Sequence, residues 1–308
     1  ELGIKTIIQT GDYFDNRKWL NINSIATQKE IIINELQSRD IDLHVFPGNH
    51  DLPLRHSLKN NSVQQILGHE DNVTVYNKPT KVQFDDREIT FMPWICKENY
   101  DECMEVLRAG GDIIVGHFEI TGFVMHPGAI SKEGISLEDF SKWNKVLSGH
   151  YHAQSKNANI QYVGTPYQMS WSDSTTKHGF WVLDLFTDEM RFYENPYRYF
   201  HRFVWEDGCE QPIENIEESF VKVSVKKKSD FEAFEKFIDK INFQKPFDMK
   251  VIESYENWSE ENVKDLINIS TTQDLIKEYV DDVATNDSAE SIKKIMMNIF
   301  DEANNMEF

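Results

Sequence analysis

This chain has five short polar motifs, and four of them contain carboxylate, amide or imidazole side chains that could bind metal ions or transfer protons. The five motifs are Gly11-Asp12-Tyr13-Phe14-Asp15, Gly48-Asn49-His50-Asp51, Gly116-His117, Gly149-His150-Tyr151-His152 and Gly164-Thr165-Pro166. Each follows an apolar run of the kind that forms a buried strand. Because side chains at the ends of neighbouring strands converge at the edge of an open sheet, the motifs predict one composite site.

The side chains in these motifs are suited to divalent cations. Asp12 offers two carboxylate oxygens that can bridge two cations, and Asn49 offers a neutral amide oxygen. His117, His150 and His152 offer imidazole nitrogens, which suit manganese, iron or zinc better than magnesium. A mixed set bridged by one carboxylate fits two cations about 3.5–4 Å apart, which promote in-line displacement at phosphorus. We therefore predict a two-metal phosphoesterase site with these five residues as ligands and manganese as the expected ion.

His50 is the predicted catalytic residue. It directly follows the proposed ligand Asn49, so its ring can face the scissile phosphate. There it would protonate the leaving oxygen or stabilise the transition state. We expect Asp51 to orient His50 or to support the ligands from behind, and Asp15 to start a helix. Each motif alone would be an ordinary structural feature, but four in this order behind strands favour function.

The elements that must position these residues alternate between strands and helices. The runs before the motifs, 4–9, 43–46, 113–115 and 145–147, are predicted strands, as are 73–76, 81–84, 89–92, 160–163 and 180–185. Ile25, Ile31, Ile32 and Leu36 fit one face of a helix between the first two motifs. The first 187 residues therefore predict a layered α/β sandwich with two mixed sheets.

Two further units are predicted after a break near Asn195-Pro196. In the first, a strand in which Val221, Val223 and Val225 alternate with polar residues precedes a helix and a return strand at 249–252. The apolar stripe of that helix comprises Phe231, Phe234, Phe237, Ile238 and Ile241. The second is a tail of two acidic amphipathic helices, one of which begins at a capping box of Asp287 and Glu290.

Composition excludes several classes of protein. The chain has 308 residues and a formal net charge of −20, half of it in 251–308, which argues against non-specific DNA binding by this chain alone. Bound cations would nevertheless reverse the local field at a phosphate site. Three cysteines are too few for a disulfide framework, and no apolar stretch reaches the roughly 20 residues of a membrane span. A reduced, cytoplasmic location is expected.

The order of the motifs resembles the pattern of the calcineurin-like metallophosphoesterase superfamily. Within it, the chain resembles the nuclease subunit of the double-strand-break repair nuclease–ATPase complex, of the bacterial SbcD-like and T-even phage recombination endonuclease type. The segments that favour this branch are 11–17, Pro93-Trp94, Gly116-His117-Phe118-Glu119 and 162–166. The resemblance implies a four-layer α-β-β-α nuclease domain at 1–195, an α+β DNA-capping domain at 196–257 and a helical tail at 258–308 that binds the ATPase.

The resemblance also implies an activity and roles for the residues. The activity would be that of a metal-dependent DNA exonuclease and endonuclease in repair and recombination. Asp12 would bridge two metal ions, with Asn49, His117 and His150 completing one site and His152 joining the other, while His50 would be the catalytic histidine. The implied partners are DNA, an SMC-like coiled-coil ATPase subunit (SbcC-like) and a second copy in a homodimer, in the host cytoplasm if a phage encodes the chain.

One feature departs from that family. Its members open with an Asp-x-His motif that supplies ligands to the metal served by His152, and no such motif precedes Gly11-Asp12 here. We therefore expect an N-terminally incomplete chain whose second metal site retains Asp12 and His152. Two alternatives stay open: a phosphatase of the same superfamily, and a catalytically impaired subunit that binds DNA and the ATPase. The extra module and the acidic tail speak against the phosphatase.

Overall fold

A computed structural model of the chain describes residues 3–126, 129–132, 134–207 and 211–253, together with Val280, Ile292, Lys293, Ile295 and Met296. The predicted helices of 258–308 therefore lie outside the described residues, apart from those five positions. The chain divides into two compact units. The first comprises Glu1–Phe203, Gln211–Lys222 and Glu235–Lys250, and the second comprises Val204–Glu210, Val223–Phe234 and Val251–Phe308.

The described elements form an α/β fold with many short strands and few helices. The strands are β1 (Thr6–Gln9), β2 (Asp42–Val45), β3 (Val73–Val75), β4 (Thr80–Phe84), β5 (Arg87–Met92), β6 (Gly111–Gly116), β7 (Val124–His126), β8 (Ala129–Ile130), β9 (Trp143–Ser148), β10 (Ser155–Asn157), β11 (Ile160–Tyr162), β12 (Gly179–Leu183), β13 (Met190–Glu194), β14 (Phe200–Trp205), β15 (Phe220–Val225) and β16 (Asp248–Glu253). The α-helices are α1 (Ile22–Gln28), α2 (Asn34–Ser38), α3 (Ser62–Leu67), α4 (Tyr100–Ala109) and α5 (Phe231–Phe243). Within the described residues, no helix is long and apolar enough to cross a membrane.

Two sheets carry the motifs, and both place strand ends where the motifs begin. The first has the order β1-β2-β3, and its strands are all parallel. The second has the order β10-β11-β9-β6-β5-β4, in which the four inner strands are parallel and the two edge strands antiparallel. The prediction of two mixed sheets is therefore wrong for the described part of the first sheet. The four predicted strands that precede the ligand motifs are confirmed as β1, β2, β6 and β9.

Three apolar clusters hold this part of the chain together. One joins Ile33, Val63 and Leu67 of the helical segments to Leu43 and Val45 of β2. A second contains residues of both sheets: Phe46, Tyr76, Ile89, Phe91, Ile113, Val115 and Leu147. The third joins Cys103, Met104 and Leu107 of α4 to a set from the second sheet and its loops that includes Ile114 and Val146. Burial of these large side chains, each worth roughly 1.5–3 kcal/mol, fixes the strand ends in place.

The predicted helix between the first two motifs exists, but its apolar face is rotated. α1 and α2 are joined by a π-helical turn at Lys29–Ile33. This turn inserts an extra residue into the helical repeat, so Ile33 is fully buried while Ile31 and Ile32 are exposed. The predicted stripe through Ile31 and Ile32 is therefore wrong, because a regular 3.6-residue period does not apply across the turn.

The predicted strand-helix-strand module near 219–257 is confirmed in its described part as β15, α5 and β16. Val221, Val223 and Val225 of β15 are buried in alternation with more exposed neighbours. The predicted stripe of α5 is buried at Phe234, Phe237 and Ile241, whereas Phe231 remains exposed at its first turn. β14, β15 and β16 form a three-stranded sheet in that order.

Candidate metal centre

The motif loops approach one another closely because three glycines have no Cβ atom that would block the contact. A Cβ atom at Gly11 would lie 2.5 Å from Nδ1 of His117, and one at Gly48 would collide with Oδ1 and the backbone nitrogen of Asp12. A Cβ atom at Gly149 would lie 3.0 Å from the same His117 nitrogen. Asp12 itself has a positive φ of 55°, a conformation that costs a non-glycine residue roughly 1–3 kcal/mol. Such strain is typical of a functional site.

Four of the five predicted ligands converge on one point, and we call them the four-ligand cluster: Asp12, Asn49, His117 and His150. Nε2 of His117 lies 3.1 Å from Oδ2 of Asp12 and 3.1 Å from Oδ1 of Asn49. Nδ1 of His150 lies 3.1 Å from Oδ1 of Asn49 and 3.3 Å from Nε2 of His117. Residues separated by more than 130 positions in sequence thus present their donor atoms to a common centre.

The structure places one ring proton of the cluster, and it points away from the convergent donor atoms. Nδ1 of His117 lies 2.8 Å from the carbonyl oxygen of Thr10, which can only accept, so Nδ1 carries the ring proton. Nε2 of the same ring is therefore the nitrogen that faces the oxygens of Asp12 and Asn49. A cation that displaces any proton from Nε2 would lie between nitrogen and oxygen donors that already converge. The donor set therefore fits a divalent metal ion, with His117 oriented by a carbonyl as in many metal sites.

The protonation states that burial imposes also suit metal binding. Burial, reinforced by the neighbouring charge of His117, lowers the pKa of His150 to about 3, so its imidazole is neutral. Burial alone would raise the pKa of Asp12. It is lowered instead, because the charge and hydrogen bond of His117 and the backbone N–H of His50 outweigh burial. Metal ligands must be deprotonated, and both groups are so at neutral pH.

Asp51 ties the first two motifs together. It is fully buried, and its carboxylate accepts hydrogen bonds from the backbone N–H groups of Gly48 (2.8 Å), Phe14 (3.0 Å) and Tyr13 (3.2 Å). Burial raises the pKa of Asp51 to about 6, although these hydrogen bonds act to lower it. Asp51 therefore supports the loops that present Asp12 and Asn49, which is the second of its two expected roles.

His50 is oriented by Asp15 rather than by Asp51. Nδ1 of His50 lies 2.6 Å from the backbone oxygen of Asp15 and 3.9 Å from Oδ1 of its carboxylate. The backbone N–H of His50 donates to Oδ1 of Asp12 at 2.7 Å, which places the ring beside the four-ligand cluster. The expected Asp51–His50 contact is absent from the described contacts. Asp15 does not start a helix, because α1 begins at Ile22 behind the capping residue Asn21.

His152, the fifth predicted ligand, lies apart from the convergent atoms and pairs with Asp173. Its Nδ1 is 3.3 Å from each carboxylate oxygen of Asp173. This hydrogen bond raises the pKa of His152 against the effect of burial. The Gly164-Thr165-Pro166 motif closes over the same segment, because the N–H of Thr165 donates to the carbonyl oxygen of His152 at 3.0 Å.

Sequence reasoning missed Asp173, Arg17 and the contacts of Trp94. Asp173 is signalled only by a capping box that starts at Ser170. The Trp94 ring packs on two cluster imidazoles, 5.8 Å from His117 and 5.5 Å from His150 between ring centroids. Nη1 of Arg17 is shielded from solvent and has no hydrogen-bond partner among the described residues. Burial lowers the pKa of Arg17, as does the charge of Arg55, whereas Asp12 raises it, so this cation lies within the field of the cluster.

Comparison with known proteins gives one informative match. The exonuclease subunit 1 of Enterobacteria phage T4 is 30% identical to this chain over 280 residues, which cover 90% of the chain and 81% of the phage protein. No model of a protein family matches the chain.

Proposed function

The chain belongs to the family of SbcD-like recombination nuclease subunits that includes exonuclease subunit 1 of phage T4, and from this premise we propose that it is a metal-dependent DNA nuclease. It would hydrolyse phosphodiester bonds as an exonuclease and endonuclease in repair and recombination. The observation that carries the proposal is the four-ligand cluster, in which carboxylate, amide and imidazole donor atoms meet at 3.1–3.3 Å. The assignment to the calcineurin-like metallophosphoesterases belongs to the same proposal.

The residues of the site would hold two divalent cations, with manganese preferred. Asp12, Asn49, His117 and His150 would hold the first, and Asp12 with His152 would contribute to the second. Imidazole donors favour manganese over magnesium. When bound, the cations would supply Lewis acidity toward water and phosphate at neutral pH. Trp94 would keep the cluster imidazoles in place through its ring contacts.

His50 would transfer a proton to the leaving oxygen. Its Nδ1 is engaged by the backbone oxygen of Asp15, so Nε2 is the nitrogen left for the substrate. Its side chain is 41% exposed, unlike the 2% of His117, so a phosphodiester can reach it. A positioned general acid contributes roughly 10²–10⁴-fold to rate. Arg17 would bind a non-bridging phosphate oxygen, because its guanidinium lies within the field of Asp12 beside the cluster.

The finer architecture and the partner are parts of the same proposal. A four-layer α-β-β-α sandwich is supported by three apolar clusters that join helices to each sheet and the sheets to each other. The name of the phage relative describes a subunit, which supports a partner protein. We propose an SMC-like ATPase of the SbcC type, bound by 258–308, with 196–257 as a DNA-capping domain and a cytoplasmic site of action.

A cleavage assay tests the proposal. Wild-type protein, His50→Ala and the distant exposed variant His69→Ala are incubated with single- and double-stranded DNA in Mn²⁺. We expect the wild type and His69→Ala to cut DNA equally, and His50→Ala to lose roughly 10²-fold or more of the rate. Metallated wild-type protein that leaves both DNAs intact would contradict the proposal, and hydrolysis of a phosphomonoester instead would favour the phosphatase alternative.

A further inference from the structure

The carboxylate of Asp173 is held more firmly than a surface carboxylate. Its residue is 4% exposed, and it accepts hydrogen bonds from the backbone N–H groups of Met169 (2.9 Å) and Ser170 (2.8 Å). The hydroxyl of Ser170 donates a further bond at 3.1 Å. All three donors bind Oδ2, and the hydroxyl of Ser172 donates to Oδ1 at 3.4 Å, so the carboxylate is fixed relative to the 3₁₀ turn Trp171–Thr175.

The turn itself is braced from a neighbouring sheet. Arg202 on β14 donates from Nη2 to the carbonyl oxygen of Trp171 and from Nε to Oγ of Ser174, both at 2.7 Å. Nζ of Lys222 on β15 lies 4.3 Å from the centre of the Trp171 ring, within cation–π range. The turn accepts two hydrogen bonds from one guanidinium and has a cation over its tryptophan ring. These contacts fix the position of the turn and therefore the position of Asp173.

Apart from Ser170, which caps the turn, His152 is the only side chain outside the turn that the Asp173 carboxylate contacts among the described hydrogen bonds. Both distances from Nδ1 are 3.3 Å, so the imidazole lies symmetrically against the carboxylate. A carboxylate accepts but does not donate, so Nδ1 of His152 carries the proton and Nε2 is the free nitrogen. The same logic applies to His117, where a backbone carbonyl selects the tautomer.

We propose that Asp173 is a positioning residue for His152: it selects the Nδ1–H tautomer and fixes the ring so that Nε2 can bind the second cation. This inference rests on the proposed function. Outer partners of this kind orient a ligand histidine and raise its basicity, and their loss typically costs roughly 10–100-fold in metal affinity. A purely structural Asp173 would instead serve only to cap the turn.

Two measurements separate these roles in the full chain. Nitrogen-15 NMR of the imidazoles in metal-free protein reports the tautomer of His152, with His152→Ala for assignment. Mn²⁺ titration by calorimetry reports the weaker site. For Asp173→Ala we expect loss of the Nδ1–H tautomer and a roughly 10–100-fold weaker second Mn²⁺ site. Asp173→Asn, which keeps one acceptor oxygen, should fall between Asp173→Ala and the wild type.

Two control variants address the capping role. Ser170→Ala removes a cap of the same turn without touching the imidazole, and Asp184→Ala removes a carboxylate that caps a turn elsewhere through the N–H groups of Phe186 and Thr187. Both should keep the tautomer and the Mn²⁺ affinity. The inference is overturned if folded Asp173→Ala matches the wild type in either readout, or if Ser170→Ala changes both as strongly. A wild type that binds no Mn²⁺ at all defeats the proposed function itself.

Discussion

The four-ligand cluster and the His152–Asp173 pair are both built from histidine and carboxylate, yet they are in opposite electrostatic states. In the cluster, burial lowers the pKa of His150 to about 3, so its ring is neutral where the donor atoms converge. In the pair, the hydrogen bond to Asp173 raises the pKa of His152, and His152 in turn helps to lower that of Asp173. The pair therefore favours a proton on its imidazole, whereas the cluster disfavours one on His150.

This contrast teaches how the ligands of the proposed site would differ in their affinity for cations. A cation entering the cluster would meet a neutral His150 ring and donor atoms that already converge. A cation at His152 must compete with a proton, because a raised pKa means that the imidazolium form is favoured. We therefore expect the cluster to bind the tighter cation and His152 to serve the weaker one.

The largest expected effect comes from removing a ligand of the cluster. His117→Ala deletes the nitrogen that contacts both Asp12 and Asn49. We expect DNA cleavage to fall by roughly 10³-fold, more than the roughly 10–100-fold cost of an outer partner. The tight Mn²⁺ site should disappear in calorimetry, while the exposed variant His69→Ala retains it. Tight Mn²⁺ binding by the His117→Ala variant would contradict the proposed difference between the four-ligand cluster and the His152–Asp173 pair.

Acidification should empty the two sites in sequence. A raised pKa for His152 means that protons displace its cation as pH falls through that pKa, whereas His150, with a pKa of about 3, remains a neutral ligand at those pH values. Affinity at the weaker site should fall about tenfold for each pH unit below the His152 pKa. Mn²⁺ stoichiometry measured from pH 8 down to 5 should pass from two to one, and simultaneous loss of both ions would contradict the contrast.

The stability of the metal-free protein should also depend on pH. The raised pKa of His152 adds stability that is lost as pH rises through the folded value, and the lowered pKa of Asp173 adds stability that is lost as pH falls through its folded value. The pair therefore contributes most between the unfolded values of 3.8 for Asp173 and 6.5 for His152. Urea unfolding of Asp173→Asn and wild type across this window checks it: their stability difference should be greatest there.

Filling the space between the motif loops should weaken metal binding by the cluster more than it destabilises the fold. In Gly48→Ala the new Cβ would collide with the Asp12 side chain and backbone. Overpacking of this kind costs roughly 1–3 kcal/mol, and here it displaces a ligand as well. Gly122→Ala is the matched control, because its positive φ of +91° strains the backbone while, among the described residues, its Cβ would meet Leu137 alone, at 4.0 Å. Urea unfolding should show that the two variants lose comparable amounts of stability. Mn²⁺ calorimetry should show weaker binding at the tight site in Gly48→Ala but not in Gly122→Ala.

The smallest expected effect concerns substrate binding beside the cluster. Arg17→Ala removes a guanidinium that lies within the field of Asp12. A hydrogen bond to a charged group contributes about 1.5 kcal/mol, so KM for DNA should rise about tenfold with little change in Mn²⁺ affinity. Lys78→Ala, at an exposed site on the loop before β4, serves as the control. An unchanged KM in Arg17→Ala would remove this residue from the proposed substrate contacts.

The strands and the ligand types were predictable from sequence because both depend on local pattern. Apolar, β-branched runs predicted the strands β1, β2, β6 and β9. The candidate ligands Asp12, Asn49, His117 and His150 were recognisable because each directly follows a glycine at the end of one of these runs. The hydrogen-bond partners of the histidines were not predictable in the same way. Which carboxylate meets His50 or His152 depends on how distant loops pack, and Asp173 lies 21 positions beyond His152. The π-helical turn at Lys29–Ile33 likewise shifted an apolar face that regular periodicity placed elsewhere.

The most direct test of the account is anomalous diffraction from crystals of this protein grown in Mn²⁺. We predict a strong peak bounded by Oδ2 of Asp12, Oδ1 of Asn49, Nε2 of His117 and Nδ1 of His150, at coordination distances of about 2.0–2.3 Å. A weaker second peak should lie next to Nε2 of His152. Manganese bound elsewhere, with those four donor atoms still facing one another and no ion between them, would contradict the account.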